Sequence, residues 1–208
     1  MSRGRFVTLE GGDGSGKTTQ AGLLRTALEH AGIETVVTRE PGGAPGAEEI
    51  RGLLVSGRTG RWTPLAEALL HFAARVEHAD RTLRPALARG AWVVCDRFAD
   101  STMAYQGYGL GLGHAAVEEL TALIVGDLAP DLTVILDVQV ARGLEREGAR
   151  PSEGRYGAMG RGFHARVRDG YREIARRAPE RCVLIDASGT IAAVHDRIWD
   201  AVATRFGL

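Results

Sequence analysis

The sequence predicts an α/β fold: a five-stranded parallel sheet with helices on both faces. Two observations carry this. Short apolar runs of strand length, most closing on an acid, alternate with longer stretches whose apolar residues recur at helical spacing. A glycine-rich turn separates the first run from the first helical stretch, the strand-loop-helix order of a parallel unit.

Residues 5–10 (RFVTLE) form the first strand, and a helix follows in which Leu24, Leu28 and Ala31 recur until Gly32 ends it. Residues 33–38 (IETVVT) give a second β-rich run, closed by a loop crowded with Pro41, Gly42, Gly43, Pro45 and Gly46. Helices are expected over residues 47–57 and 64–89, the second stopped by Gly90. The runs 91–95, 132–136 and 182–185 have the continuous apolar pattern of strands buried on both faces, and end at Asp96, Asp137 and Asp186. A last helix places Ile191, Val194, Ile198 and Val202 on one face. Acids at the strand ends, Glu10 included, put polar groups at the carboxyl edge of the sheet, where open α/β sheets bind ligands. Residues 107–113 (GYGLGLG) look like a dinucleotide fingerprint but follow no strand, and read as a mobile loop.

A chain of 208 residues, 44% hydrophobic and 25% charged, has the make-up of one compact domain and not of a disordered chain. No run approaches the ~18 apolar residues of a membrane span, and residues 1–10 lack the apolar centre of a secretory signal, so a cytoplasmic protein with no membrane partner is expected. Cys95 and Cys182 fall in predicted strands and are expected to be buried free thiols; no Cys/His spacing suggests a zinc site. The 26 basic and 26 acidic residues cancel, which argues against the broad positive field that nucleic acid attracts. The basic residues are 25 arginines and one lysine, Lys17, and asparagine is absent.

Residues 11–18 read G-G-D-G-S-G-K-T, matching G-x-x-x-x-G-K-[ST], the P-loop. Gly11, Gly12, Gly14 and Gly16, with Asp13 and Ser15 between them, let backbone N–H groups converge on phosphate oxygens, and the following helix adds its positive dipole end. Lys17 can reach the β and γ phosphates of a bound nucleotide, and Thr18, followed by Thr19, brings a hydroxyl suited to Mg²⁺. A chance match in a chain with 28 glycines is the bland alternative, but the sole lysine falls where a compact ammonium is required. The fold class sharpens to the P-loop NTPase type. The guanine-reading Asn-Lys-x-Asp motif of GTPases cannot occur without asparagine or a second lysine.

Four further segments follow in order: residues 38–43 (TREPGG), 72–75 (FAAR), 96–98 (DRF) and 101–107 (STMAYQG). With the P-loop, this set closely resembles the thymidylate kinase family over essentially the whole chain. The resemblance implies a nucleoside monophosphate kinase domain, residues 1–208, that uses ATP and Mg²⁺ to convert dTMP to dTDP in dTTP synthesis. It also implies roles by position. Arg39 and Arg97 match arginines that hold the acceptor monophosphate, a task suited to a planar guanidinium fork. Phe72 matches the aromatic that stacks on thymine, Arg75 and the Ser101–Thr102 pair match readers of the base edge, Tyr105 lies near the sugar and Gln106 beside the base. Asp13 matches a carboxylate near the sugar 3′-hydroxyl and the metal, and Asp96 a Walker B acid that holds Mg²⁺ directly or through water. Taken singly, Phe72 would be a core residue, Arg39 a solvated loop arginine and Ser101–Thr102 a helix cap; the motifs favour the site. The histidines, His71 and His78 among them, are expected to be structural or exposed.

Between Arg142 and Arg181, eleven arginines face six acids. A nucleic-acid surface, a solvated helix of mixed charge and a phosphate-closing lid all fit that count. The family carries a lid after the fourth strand, which the resemblance places at about residues 142–162, with Arg146, Arg150 and Arg155 as lid arginines and Pro151, Gly154 and Gly157 as helix breakers. Gly14 stands where one branch of the family has a catalytic arginine, so the chain resembles the branch with lid arginines. Arg150 is the first choice for the transferred phosphate, before Arg146 and Arg155. The resemblance also implies a homodimer through apolar helix faces on one side of the sheet, and residues 187–190 are the positional guess for adenine. The alternatives are a kinase for another (deoxy)nucleoside monophosphate and, from a different class, a nucleic-acid-dependent ATPase.

Overall fold

Five apolar runs form the parallel strands β1 (Phe6–Gly11), β2 (Thr35–Arg39), β3 (Trp92–Asp96), β4 (Leu132–Asp137) and β5 (Cys182–Asp186) in the computed structural model, which describes residues 3–148 and 155–208. Their order across the sheet is β2-β3-β1-β4-β5. β1 is central and buried along its whole length. It pairs with β3 from Phe6–Val93 to Leu9–Asp96 and with β4 from Val7–Leu132 to Gly11–Leu136. The chain leaves β1 toward β2 on one side and leaves β3 toward β4 on the other. The reversal puts the ligand crevice at the carboxyl ends of β1 and β3.

Alternation along the strands sorts the core into two layers. Val7, Leu9, Val94 and Val134 face α1 (Lys17–His30) and α9 (Ile191–Phe206), whose Leu24, Leu28, Val194, Ile198 and Val202 complete one cluster. Ile191 departs from the expected face, being 60% exposed because it opens the helix at its solvent end. On the opposite face, Phe6, Val93 and Cys95 meet a second helical layer. That layer comprises α2 (Pro45–Val55), α3 (Pro64–His78), α4 (Arg84–Ala88), α5 (Ala99–Thr102), α6 (His114–Val125) and α8 (Arg161–Arg177), while α7 (Val140–Gly148) follows β4. Cys95 and Cys182 are buried and free.

Two expectations need correction. The single helix over residues 64–89 is α3, a π-helical turn Ala79–Leu83, and α4. Pro85 removes an N–H from the ladder, and the Arg84 N–H bonds five residues back to Ala79 O. The second concerns residues 107–113, expected to be a mobile loop. Its first three residues belong instead to a π-helical turn, Met103–Gly109, with Gly107 and Gly109 buried, while residues 110–113 form no helix or strand. A Cβ on Gly109 would lie 2.7 Å from Phe163 Cε2 and 2.9 Å from Val167 Cγ2, so glycine here permits close packing of α8. Among the described residues no helix is long and apolar enough to cross a membrane.

Candidate active site

The P-loop crosses from the end of β1 to α1 at that crevice. Gly11, Gly14 and Gly16 all have positive φ, and a Cβ on Gly11 would approach Leu136 O to 2.5 Å. Gly14 packs backbone to backbone against α7, where a Cβ would stand 2.0 Å from Gly143 O. The position that carries an arginine in one branch of the family has no room for a side chain here. Lys17 is buried at the mouth of the loop, with Nζ donating to Gly12 O (2.9 Å) and Ser15 Oγ (3.3 Å). Burial, then Arg97, brings its ammonium down from 10.5 to about 8, against the pull of Asp96, Asp13 and Glu10. Thr18 Oγ1 donates to Asp96 Oδ2 at 2.5 Å. A cleft of about 250 Å³ joins Lys17, Thr18 and Thr19 to Arg39, Asp96 and Arg97, so the expected donor and acceptor phosphate residues share one space.

Arg97 is the hub of the site. It is the one described non-glycine residue at positive φ (74°), directly after β3, and this turn aims its side chain back across the P-loop. NH2 donates to Asp13 Oδ1 (2.7 Å) and Tyr105 OH (3.0 Å), and NH1 to Gly11 O, Ser101 Oγ and Tyr171 OH at 3.1 to 3.3 Å. Burial pushes the Asp13 carboxyl up, but Arg97 and Lys17 outweigh it and hold it below the ordinary aspartate value. Asp13 Oδ2 is buried and accepts no hydrogen bond from the described residues. Behind Arg97, Glu10 accepts from Phe98 N (2.7 Å), Ser101 Oγ (2.6 Å) and Tyr171 OH (3.0 Å). Burial, then Asp100, raises Glu10 to about 7.

The oxygens of Thr18, Asp96 and Asp13 are hard donors, as Mg²⁺ prefers. No group of three His, Cys, Asp or Glu suited to a metal occurs among the described residues.

A second cleft of about 180 Å³ opens beside the first, walled by Arg75, Arg97, Ser101, Thr102, Tyr105 and Gln106 with His71 and Tyr156. Arg75 is 2% exposed and fixed by Glu40 Oε2 (2.7 Å), Phe98 O (3.0 Å) and Thr102 Oγ1 (3.1 Å). Its NH1 is buried and has no partner among the described residues. Breaking the buried Arg75–Glu40 pair from one side would cost about 3–5 kcal/mol. Phe72 is not on this wall. It is 0% exposed, packed in the core cluster of Met103, Tyr105 and Phe163, with its ring 4.9 Å from the Arg75 guanidinium. Arg39 is half-exposed and donates to both carboxylate oxygens of Glu48 at 3.1 Å.

Of the expected lid arginines, Arg146 on α7 donates to Ala187 O (3.3 Å), reaching the loop after β5 that was the guess for adenine. Arg150, Pro151 and Gly154 lie outside the described residues, as does the centre of the expected lid. Arg155 is 4% exposed, paired with Glu67 and donating to Leu54 O (2.7 Å), so the structure does not bring it to the P-loop. The arginine-rich segment is largely paired: Arg168 and Arg172 with Asp137, Arg176 with Glu173, Arg181 with Asp100.

Sequence reasoning missed several residues. Glu40 and His78 were in view, one inside TREPGG and the other without a role; Glu40 Oε1 meets His78 Nδ1 at 3.0 Å, and His78 Nε2 meets Thr38 Oγ1 at 2.7 Å. Arg51 lines both clefts and donates to Pro41 O (2.8 Å). Tyr171 and Glu67 come from helices whose periodicity marks them only as inward-facing.

The family model described as thymidylate kinase matches residues 9–198. A thymidylate kinase of Caulobacter vibrioides is 50% identical over 208 residues, covering 100% of both chains, and one of Afipia carboxidovorans is 50% identical over 98% of this chain and 90% of its own. The crystal structure of thymidylate kinase from Ehrlichia chaffeensis superposes with a TM-score of 0.79 at 36% identity, covering 96% of this chain and 99% of that one. With the P-loop, the Asp96–Arg97 turn and the second cleft all joined at one edge of the sheet, the chain belongs to the thymidylate kinase family.

Proposed function

We infer that the protein transfers the γ-phosphoryl group of ATP to dTMP, yielding ADP and dTDP, a step of dTTP synthesis. The observation that carries the reading is the abutting pair of clefts: a phosphate site built on Lys17 beside a pocket whose wall holds a buried, unpartnered guanidinium N–H on Arg75. A donor there suits the O4 acceptor of thymine and is opposed by the amino donor at the same position of cytosine.

The P-loop N–H groups and Lys17 hold the donor phosphates; Thr18 and Asp96, with Asp13 alongside, are the oxygen donors for Mg²⁺. When bound, the ion offsets charge on the β and γ oxygens. Arg97 and Arg39 hold the dTMP phosphate, Ser101 fixes the Arg97 fork, and Thr102 fixes Arg75. Tyr105 borders the sugar, where its bulk disfavours a 2′-hydroxyl, and Asp13 lies toward the 3′-hydroxyl. Phe72 is a ring within reach of a base held at Arg75, and stacking on it requires a wider cleft than this structure has. The attacking oxygen belongs to a phosphomonoester with a second pKa near ~6, so no general base is needed. Alignment and charge compensation supply the rate. Arg155 is committed to Glu67, which leaves the transferred phosphoryl to Arg150, then Arg146.

The chain is read as one kinase domain with a lid at about residues 142–162, cytoplasmic, with no nucleic-acid partner, a reading supported by the pairing of its arginine-rich segment. A homodimer is proposed through the apolar stripe Leu65, Leu69 and Val76 exposed on α3, next to Leu53 of α2. A coupled ADP-release assay tests the function: release is expected only with dTMP present, and faster turnover of dUMP, CMP or AMP than of dTMP would reject it.

A further inference from the structure

We propose that Glu67, which lies behind the wall of the second cleft, is a positioning residue for base selection: it turns the Gln106 carboxamide so that the oxygen, and not the nitrogen, faces the base. This rests on the reading of that cleft as the dTMP site.

Glu67 is 0% exposed on the inner face of α3. Its Oε2 is paired with Arg155, and its Oε1 accepts from Gln106 Nε2 at 2.8 Å and from Tyr156 OH at 2.6 Å. A carboxylate in an ion pair has only lone pairs to offer, so Gln106 must present its NH₂ group to it. The second amide hydrogen is taken as well. Tyr156 spends its own proton on Glu67, so its oxygen is an acceptor toward Gln106 Nε2 at 3.3 Å. His71 fixes the same polarity from the other side: burial, then Arg75 and Arg155, hold its imidazole down at about 3, so it is neutral. Its Nε2, 3.0 Å from Tyr156 OH, meets an oxygen whose proton is already given away and therefore donates to it.

Both hydrogens of the Gln106 amide are thus consumed on the Glu67 side, and the acceptor oxygen is what remains for the cleft that Gln106 lines. An acceptor there bonds the N3–H of thymine or uracil and is repelled by the N3 lone pair of cytosine. Glu67 selects the base without touching it, through the same carboxylate that binds Arg155 and Tyr156.

The test measures kcat/KM for dTMP and for dCMP in Glu67→Gln, which keeps the shape but can pair with Gln106 in either amide orientation. The dTMP-to-dCMP ratio is expected to fall about tenfold or more, the scale of one discriminating hydrogen bond, with KM for ATP nearly unchanged. In a Gln106→Ala background the same substitution is expected to leave the ratio where Gln106→Ala put it. If Glu67→Gln does not fold, the double variant Glu67→Met, Arg155→Met removes both partners of the buried pair, a change often tolerated, and the ratio is expected to fall alike. A wild-type ratio in a folded variant, or an equal drop with and without Gln106, overturns the proposal. If instead Gln106→Ala and Arg75→Ala both leave KM for dTMP unchanged, the reading of the cleft itself has failed.

Discussion

On the proposed donor side of the site, one continuous segment supplies most of the machinery: residues 11–18, running from the end of β1 into α1, carry the loop, the ammonium and the hydroxyl. The proposed acceptor side draws on β2, α3, the turn after β3, α5, the π-helical turn Met103–Gly109 and α8, and its charges are fixed by one another. Glu40 pins Arg75; Asp13, Tyr105, Ser101 and Tyr171 pin Arg97. A flexible ammonium can seek its phosphates because the backbone provides the geometry. A guanidinium that must both orient and discriminate needs neighbours that deny it other positions.

The sharpest way to break this comparison is Lys17→Ala. No other lysine exists to substitute, so kcat is expected to fall by at least about 10²–10³-fold with the thermal midpoint nearly unchanged. Near-normal turnover in the folded variant would end the assignment of the donor side. Next in size is Arg97→Lys, which keeps the charge and removes the fork. Because the acceptor side depends on geometry, kcat/KM for dTMP is expected to drop on the order of 10²-fold while KM for ATP stays close to normal. A mild effect would mean that charge alone suffices there. The smallest effect is structural: Gly14→Ala places a Cβ against Gly143 O at a positive-φ position. It is expected to cost about 1–3 kcal/mol in chemical denaturation, and unchanged stability would show that the P-loop and α7 are less tightly joined than they look.

What the sequence disclosed follows the same division. The P-loop and the acid-tipped strands were legible because their signals are local: a spacing, an apolar run, a glycine at a turn. The resemblance to the family then named the acceptor residues without saying what holds them. Tyr171 lies far along the chain from Glu10, and Arg155 far from Glu67, so no window of sequence pairs them. The resemblance placed Arg155 among the lid arginines; only the fold reveals its carboxylate, Glu67. The glycines at 107 and 109 misled in the opposite direction, since glycine marks both a loop and a place where two helices must touch.

The claim that Lys17 serves the donor phosphates alone can be read at one atom. As the only lysine, it gives a single side-chain signal in protein grown with isotope-labelled lysine. Burial and Arg97 lower its value in the folded chain from 10.5 to about 8. The folded state therefore holds this proton less tightly than the unfolded one: the charged form costs stability below about 8, and that cost fades as pH rises toward 10.5. Phosphates favour the ammonium, so a non-hydrolysable ATP analogue with Mg²⁺ must raise the midpoint, and affinity for it must weaken as pH rises above about 8. The account predicts a signal titrating near 8 in the free protein, shifted upward by the ATP analogue and far less by dTMP alone. A signal titrating like an exposed lysine, or one that dTMP moves as much as the ATP analogue does, would contradict it.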